Sequence, residues 1–321
     1  MGASPSRLAL VSFFLAISIC CAALAQDYPV RPIRVITGGG TDVIGRVVGQ
    51  ELSEMWRQQV VNEDRPGAGG SIAAEFVAKS PADGYTLLLA APTFSINAAW
   101  GIAAYDHARD FSPVVQIVTL TPYIVVVHPT LPVRSMQNLI ALARARPGEL
   151  NYATAQAGGS THLAAELFKL MAKVNIVHVP YKGATNAVVS VMAGETQMMF
   201  AVSATALPHV AGGKLRALAV TTPKRTRVVP DLPTIAESGV PGYEVTGWSG
   251  LIAPARTPNH IVAKINADVL RALKVPHVLK ALENAGYQTV NGSTPQEFTL
   301  VISNEIKKWA NVIKISGAKI Q

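Results

Sequence analysis

Short apolar runs rich in β-branched residues alternate along this chain with segments whose apolar positions recur every three to four residues. The runs predict buried strands and the recurring positions predict amphipathic helices. Such alternation indicates an α/β architecture with mostly parallel, buried sheets flanked by helices. The predicted strands are Ile33 to Thr37, Tyr85 to Ala90, Tyr123 to Val127, Leu150 to Thr154, Ile176 to Val179, Met198 to Ala201 and Leu215 to Val220.

Two segments indicate places where the chain crosses between two lobes. Residues 114–127 are strand-like but contain Pro122, and residues 241–254 are rich in Gly and Pro. A chain of 321 residues is also long enough for two domains. We therefore predict one lobe from residues 26–122 plus 246–321 and a second lobe from residues 123–245. The helical pattern after Ile261 is expected to return over the first lobe.

One pattern occurs twice, as GGGTDV at residues 38–43 and as GGSTHL at residues 158–163. Each copy follows a predicted strand and leads into an amphipathic helix. The first N–H groups of such a helix have no partner within it and lie at its positive end, so anions bind there. Taken singly, either turn is more typical of a tight connection whose N–H groups are satisfied by water or a cap. One copy in each lobe favours a shared cleft at the carboxyl ends of the strands.

The predicted anion is a carboxylate. No G-x-x-x-x-G-K-[ST] motif occurs, and Val43 stands where the dinucleotide fingerprint has its third glycine. Thr41, Thr161 and Ser160 either cap their helices or turn a hydroxyl towards the ligand. Asp42 would orient backbone and water, or accept from a ligand amine or hydroxyl.

The N-terminal segment predicts export. Arg7 precedes an apolar run from Leu8 to Leu24 that ends in an A-x-A pattern, so we predict a signal peptide over residues 1–25, cleaved after Ala25. An uncleaved membrane anchor is the alternative reading of the same run. Both cysteines lie in this segment, so the exported chain has no thiol for disulfides, metal ligation or catalysis.

Composition excludes several other classes of function. The net charge is +8, but basic residues are scattered without interleaved aromatics, so we expect no nucleic-acid binding. The seven histidines show no metal-binding spacing, and Gly247-Trp248-Ser249-Gly250 is not a nucleophile elbow. We expect no metal, no cofactor and no enzymatic activity. His162 either donates to a ligand or packs on its neighbours, and Trp100 and Trp248 either line a cleft or pack in a hinge or core.

The order and spacing of several motifs resemble the Bug family, the extracytoplasmic solute receptors of tripartite tricarboxylate transporters. The resemblance covers almost the whole chain after the signal peptide. The first loop departs from the family pattern by running directly from Thr37 into Gly38. The motifs are YP at 28–29, PIR at 32–34, GGTD at 39–42, NEDRPGAGG at 62–70, DGYTL at 83–87, VPYKG at 179–183, GKLRALAV at 213–220 and PTIAESG at 233–239.

This resemblance implies a periplasmic, monomeric Venus-flytrap receptor that closes on a small carboxylate-bearing ligand and delivers it to membrane transporter subunits. A periplasmic sensor subunit for a signalling partner is the alternative, and an unrecognised hydrolase is a weaker one. The candidate ligand-binding residues are Gly39, Gly40, Thr41, Asp42, Gly69, Gly70, Ser71, Thr93 and Ser95 in the first lobe, with Gly158, Ser160, Thr161, His162 and Thr205 in the second.

Overall fold

The computed structural model describes residues 28–39 and 42–320. The predicted signal peptide and its cleavage site after Ala25 lie outside this range. None of the helices in the described part of the chain combines the length and apolarity needed to span a bilayer.

The first half of the sheet is built around three parallel strands. Strand β1 pairs in parallel with β2 on one side and β3 on the other, and helices follow each strand. The elements are β1 (Ile33–Thr37), α1 (Asp42–Trp56), β2 (Val60–Asp64), a short 3-10 turn (Ala68–Gly70), α2 (Ser71–Ala78), β3 (Thr86–Ala90) and α3 (Pro92–Trp100). The chain returns to this half with β9 (Thr246–Pro254), α8 (Asn259–Ala272), α9 (Pro276–Asn284), β10 (Gln288–Thr289) and α10 (Pro295–Ser316).

The second half repeats the arrangement. Strand β5 pairs in parallel with β6 and β7. The elements are α4 (Met136–Ala145), β5 (Asn151–Thr154), α5 (Ser160–Ala172), β6 (Val177–Pro180), α6 (Ala184–Met192), β7 (Met198–Val202), α7 (Ser203–Ala211) and β8 (Arg216–Val220). All seven strands predicted from the sequence are confirmed, most with ends shifted by one or a few residues.

One long strand, β4 (Phe111–Val127), joins the two halves. It pairs antiparallel with β9 as far as Pro122, then with β7 and β8 from Tyr123 onwards. The strand order is β2-β1-β3-β9-β4-β7-β5-β6, with β8 and β10 pairing β4 beside this path. The lobe boundaries at residues 122 and 245 stay a prediction, and the change of partners along β4 supports them.

The last helix, α10, lies across both halves. Thr294 begins it with a capping box: its hydroxyl accepts from the Glu297 N–H, and the Glu297 carboxylate accepts from the Thr294 N–H. Towards its start the helix buries Phe298 in the core of the first half, whereas Trp309, about three turns further along, is buried in the core of the second. The predicted return over the first lobe is therefore only part of its role, because the apolar face is long enough to reach both cores.

Candidate functional site

The first glycine turn lies directly against the turn that follows β2. A Cβ added to Gly38 would lie 2.5 Å from the Gly70 Cα, so only glycine permits this approach of two backbones. Gly39 and Gly70 have φ values of +97° and +86°, which glycine adopts without strain. Both turns and Thr93, at the start of α3, line a cavity of about 20 Å³. This volume holds about one water molecule.

Helix α3 supports the same region through hydrogen bonds. The buried Asn97 side chain donates from Nδ2 to the Gly69 carbonyl at 3.1 Å and to the Ser71 Oγ at 2.9 Å. Ser71, a predicted ligand-binding residue, thus has a structural partner. Ser95 is fully buried, and its Oγ has no hydrogen-bond partner among the described residues. Asn97 was missed from the sequence, because its only signal is a lone amide in a short helix.

Three predicted residues of the first turn receive little structural description. Gly40 and Thr41 lie outside the described residues, and Asp42 is described only as the first residue of α1. Their proposed contacts with a ligand stay predictions.

The second glycine turn is closed by its own helix. The Gly158 N–H donates to the His162 Nδ1 at 2.9 Å, and α5 begins at Ser160 with Gly159 as its N-cap. Thr161, in the first turn of α5, is buried, whereas Ser160 is half-buried. Burial raises the pKa of Tyr123 to about 12, and a hydrogen bond with the Ser160 hydroxyl partly offsets that rise. The tyrosine is therefore a neutral hydroxyl beside the start of α5.

Behind this turn lies a group of ionisable side chains, of which His162 and Glu166 are buried and His178 is half-buried. The His162 and His178 rings stack with centroids 3.8 Å apart. Glu166 accepts from the Tyr152 hydroxyl at 2.6 Å and from the Lys169 Nζ at 2.7 Å. Burial lowers the pKa of His162, with Glu166 opposing the shift and Lys169 adding to it. Burial, His162 and Lys169 lower the pKa of His178 to about 4, so both rings are neutral at neutral pH.

Two contacts bring the turns of the two halves together. The Trp100 Nε1 donates across the gap to the Gly158 carbonyl at 3.0 Å. The Gln156 Nε2 lies 3.2 Å from the position of a Cβ added to Gly69. Gln156 is exposed, and it was missed from the sequence because nothing near it in the chain indicates that this amide lies against a distant turn. The turns at residues 69–70 and 156–159 therefore face each other.

Thr205 and Trp248 lie apart from these contacts. Thr205 is half-buried in the first turn of α7, and no described contact joins it to either glycine turn. Trp248 packs edge-on against Phe298 in the core of the first half. Within the described residues, no group of three or more His, Cys, Asp or Glu side chains is arranged to hold a metal ion.

Comparison with known families identifies the family of this chain. A family model described as tripartite tricarboxylate transporter family receptor matches residues 44–318. The chain belongs to this family. The resemblance inferred from the motifs is thereby confirmed, and members of the family are solute-binding receptors.

The receptor is similar to named relatives and to solved structures over most of its length. Protein BugT of Bordetella pertussis is 35% identical, with 98% of each chain covered. The structure of R. palustris Rpa4515 with adipate has 37% identity and a TM-score of 0.82, covering 91% of this chain and 99% of that one. MatC from Rhodopseudomonas palustris, with bound malate, has 30% identity and a TM-score of 0.77, covering 89% and 100%. The predicted two-lobed periplasmic binding protein fold is confirmed.

Proposed function

We propose that this receptor binds a small dicarboxylate in the periplasm, between the glycine turns of its two lobes, and delivers it to the membrane subunits of a tripartite tricarboxylate transporter. The family supports a carboxylate-binding periplasmic receptor. The structural neighbours with adipate and with malate support a ligand that carries two carboxylates on a short carbon chain.

The observation that carries the proposal is the opposition of two helix starts across one gap. Helix α3 begins beside Gly70 and the 20 Å³ cavity, and α5 begins beside Gly158. Trp100 lies at the opposite end of α3, so the facing position of the two starts is supported by Gln156, whose Nε2 lies 3.2 Å from the position of a Cβ added to Gly69. Unpaired N–H groups at a helix start bind carboxylates without a cationic side chain. A ligand with a carboxylate at each end matches two such starts.

Ligand capture follows from closure. Contacts with both lobes are complete only when the lobes close around a ligand of the right length, and water is excluded as they form. The one-water cavity between Gly39, Gly70 and Thr93 provides a place for a water that bridges a carboxylate to backbone groups. Binding of this kind leaves the ligand chemically unchanged, so the proposal includes no catalytic step and no cofactor.

The remaining parts of the proposal concern the exported protein. We expect cleavage after Ala25, a monomer in solution, no nucleic-acid binding, and association with the transporter through its membrane subunits. Membership of the family supports a periplasmic location and association with a membrane transporter. Mass spectrometry of the periplasmic protein would give the mature N-terminus, and pull-down from membranes would identify the partner subunits.

Calorimetric titration of the purified mature protein tests the proposal. Adipate, malate and succinate form the test set, and acetate and propylamine are matched controls that carry one carboxylate or none. We expect saturable binding of at least one dicarboxylate, weaker binding of acetate and none of propylamine. Ligand recovered unchanged after incubation separates binding from hydrolysis. Failure of every carboxylate to bind, or equal binding of propylamine, would contradict the proposal.

A further inference from the structure

The side chain that closes the second glycine turn acts as a hydrogen-bond acceptor. The Gly158 N–H donates to the His162 Nδ1, so this nitrogen carries a lone pair and the ring proton of the neutral imidazole lies on Nε2. The Nε2 atom faces the Glu166 carboxylate at 3.8 Å. The ring is only 3% exposed. Because the ring is buried and its Nδ1 already accepts from Gly158, this imidazole interacts with the turn and not with the cleft.

The same imidazole also fixes the other end of the turn through its stacked neighbour. The His178 Nε2 lies 2.6 Å from the Thr154 Oγ1, and that hydroxyl donates to the Gln156 carbonyl at 3.1 Å. The His162–His178 stack therefore connects the backbone N–H of Gly158 to the backbone carbonyl of Gln156. These two groups bracket the segment that faces Gly69 and Trp100 in the other lobe.

The turn needs such support because its conformation is unusual. Gly158 has a φ of +74°, and its carbonyl is the acceptor for Trp100 from the first lobe. A rotation of the peptide between residues 157 and 158 would break the His162 bond and re-aim the backbone leading into α5. The N–H groups at the start of that helix are those that the proposed function assigns to a carboxylate.

We propose that His162 is a positioning residue of the ligand site: its neutral imidazole accepts from Gly158 and thereby sets the geometry of the α5 start for the anion, without touching the ligand. This inference rests on the proposed function for its binding consequence, but the hydrogen bond itself exists in the free protein. It replaces the direct ligand contact expected for His162 from the sequence with an indirect role.

Three substitutions at one position separate this role from packing alone. In His162→Asn the side-chain oxygen occupies the place of Nδ1 and still accepts from Gly158. In His162→Gln the amide reaches the place of Nε2 and leaves Gly158 without its acceptor. His162→Leu fills a similar volume and accepts from neither side. His128→Asn is the control, because this half-buried histidine bonds Thr130 far along the chain from both turns.

The affinity for adipate, measured by calorimetry, is expected to stay within about 3-fold of wild type in His162→Asn and in His128→Asn. It is expected to fall about 10-fold or more in His162→Gln and His162→Leu, the effect of losing one hydrogen bond at a buried amide. Matched melting temperatures of the Asn and Gln variants would show that folding is not the cause. Unchanged affinity in the Leu variant, or retention by Gln and loss by Asn, would overturn the proposal.

A measurement without ligand keeps this test independent of the proposed function. Imidazole ¹⁵N shifts of the free protein are expected to show His162 neutral at pH 7 with its proton on Nε2, and the Gly158 amide is expected to exchange slowly. In the Leu variant the exchange should become at least 10-fold faster. A proton on Nδ1, or Gly158 exchange that the Leu variant does not change, would overturn the positioning role even if adipate binds. If no dicarboxylate binds while both expectations hold, only the proposed function fails.

Discussion

The two glycine turns are held in place by different kinds of interaction. The first turn is fixed by direct backbone contact between Gly38 and Gly70, and the neutral amide of Asn97 holds the segment around Gly70 through the Gly69 carbonyl. The second is fixed by hydrogen bonds with a stacked pair of histidines: buried His162 accepts from the Gly158 N–H, and half-buried His178 bonds the Thr154 hydroxyl. Steric contact does not change with pH, whereas a histidine that must stay neutral does. The first turn with the segment around Gly70 forms one wall of the proposed cleft, and its stability is expected not to change in acid. The second turn with its two histidines forms the other wall, and its stability is expected to fall as the histidines become protonated.

The largest expected effect is at the steric contact. Gly38→Ala would place a Cβ 2.5 Å from the Gly70 Cα, so the two turns must separate. We expect a loss of about 3 kcal/mol in the free energy of unfolding, the upper part of the range for overpacking. Urea denaturation measures it. Gly39→Ala is the matched control: nothing lies within 4 Å of its added Cβ, and the cost comes from its φ of +97°, about 1 kcal/mol. Equal losses in both variants would contradict the contact.

Acid should weaken the second region selectively. The pKa of His178 is lowered to about 4 in the folded protein from 6.5. The unfolded chain therefore binds this proton first as pH falls, and the stabilisation present above pH 6.5 is lost between pH 6.5 and about 4. For this group alone the loss from pH 7 to pH 5 is about 2 kcal/mol.

His178→Gln removes the titration while leaving an amide near the Thr154 hydroxyl. Urea denaturation at both pH values is expected to show that the variant loses about 2 kcal/mol less than wild type on going from pH 7 to pH 5. Parallel losses in the two proteins would show that His178 does not carry the acid sensitivity of the second wall.

Most of the architecture could be predicted from local patterns. The strand at Ile33–Thr37 was predicted with its observed ends, because a buried β-branched run between turn residues has few other readings. Strand β2 (Val60–Asp64) was missed, since it lies at the edge of the described sheet and its polar residues Asn62, Glu63 and Asp64 mask the apolar signal. Pro122 was read as a break, but it stands where β4 changes partners and the strand continues.

The site was predictable only in part. Paired glycine turns carry a local signature, so the sequence located the turns at residues 38–39 and 158–161, and their contact with a ligand stays a prediction. Asn97 and Gln156 make their contacts with residues far away in sequence, and an isolated amide gives no sign of its partner. Trp100 was left open between cleft and packing; its indole N–H in fact bonds Gly158. Long-range pairing of this kind needs the fold to be known.

The amide of Asn97 offers a milder test of the first wall. Asn97→Leu keeps the volume but leaves the Gly69 carbonyl and the Ser71 hydroxyl without their donor. We expect a loss of about 1.5 kcal/mol in the free energy of unfolding, with the same loss at pH 5 as at pH 7. Thermal or urea denaturation at both pH values measures it. A loss that grows in acid would contradict the contrast between the two walls.

The smallest expected effect lies at the link between the walls. Trp100→Phe removes the indole N–H that bonds the Gly158 carbonyl while keeping an aromatic side chain on α3. We expect adipate binding to weaken by about 1 kcal/mol or less, because the bond forms across the cleft and water replaces it when the lobes open. Calorimetric titration measures this. An affinity unchanged within error would show that the bond does not help to hold the lobes together.

The central claim is that two facing helix starts hold the two ends of one dicarboxylate, and a crystal structure of the protein grown with adipate tests it most directly. The account predicts one carboxylate beside Gly70 and Thr93, reached directly or through one water, and the other at the backbone N–H groups of Ser160 and Thr161. Adipate bound anywhere else on the receptor, or held at only one of the two walls, would contradict it.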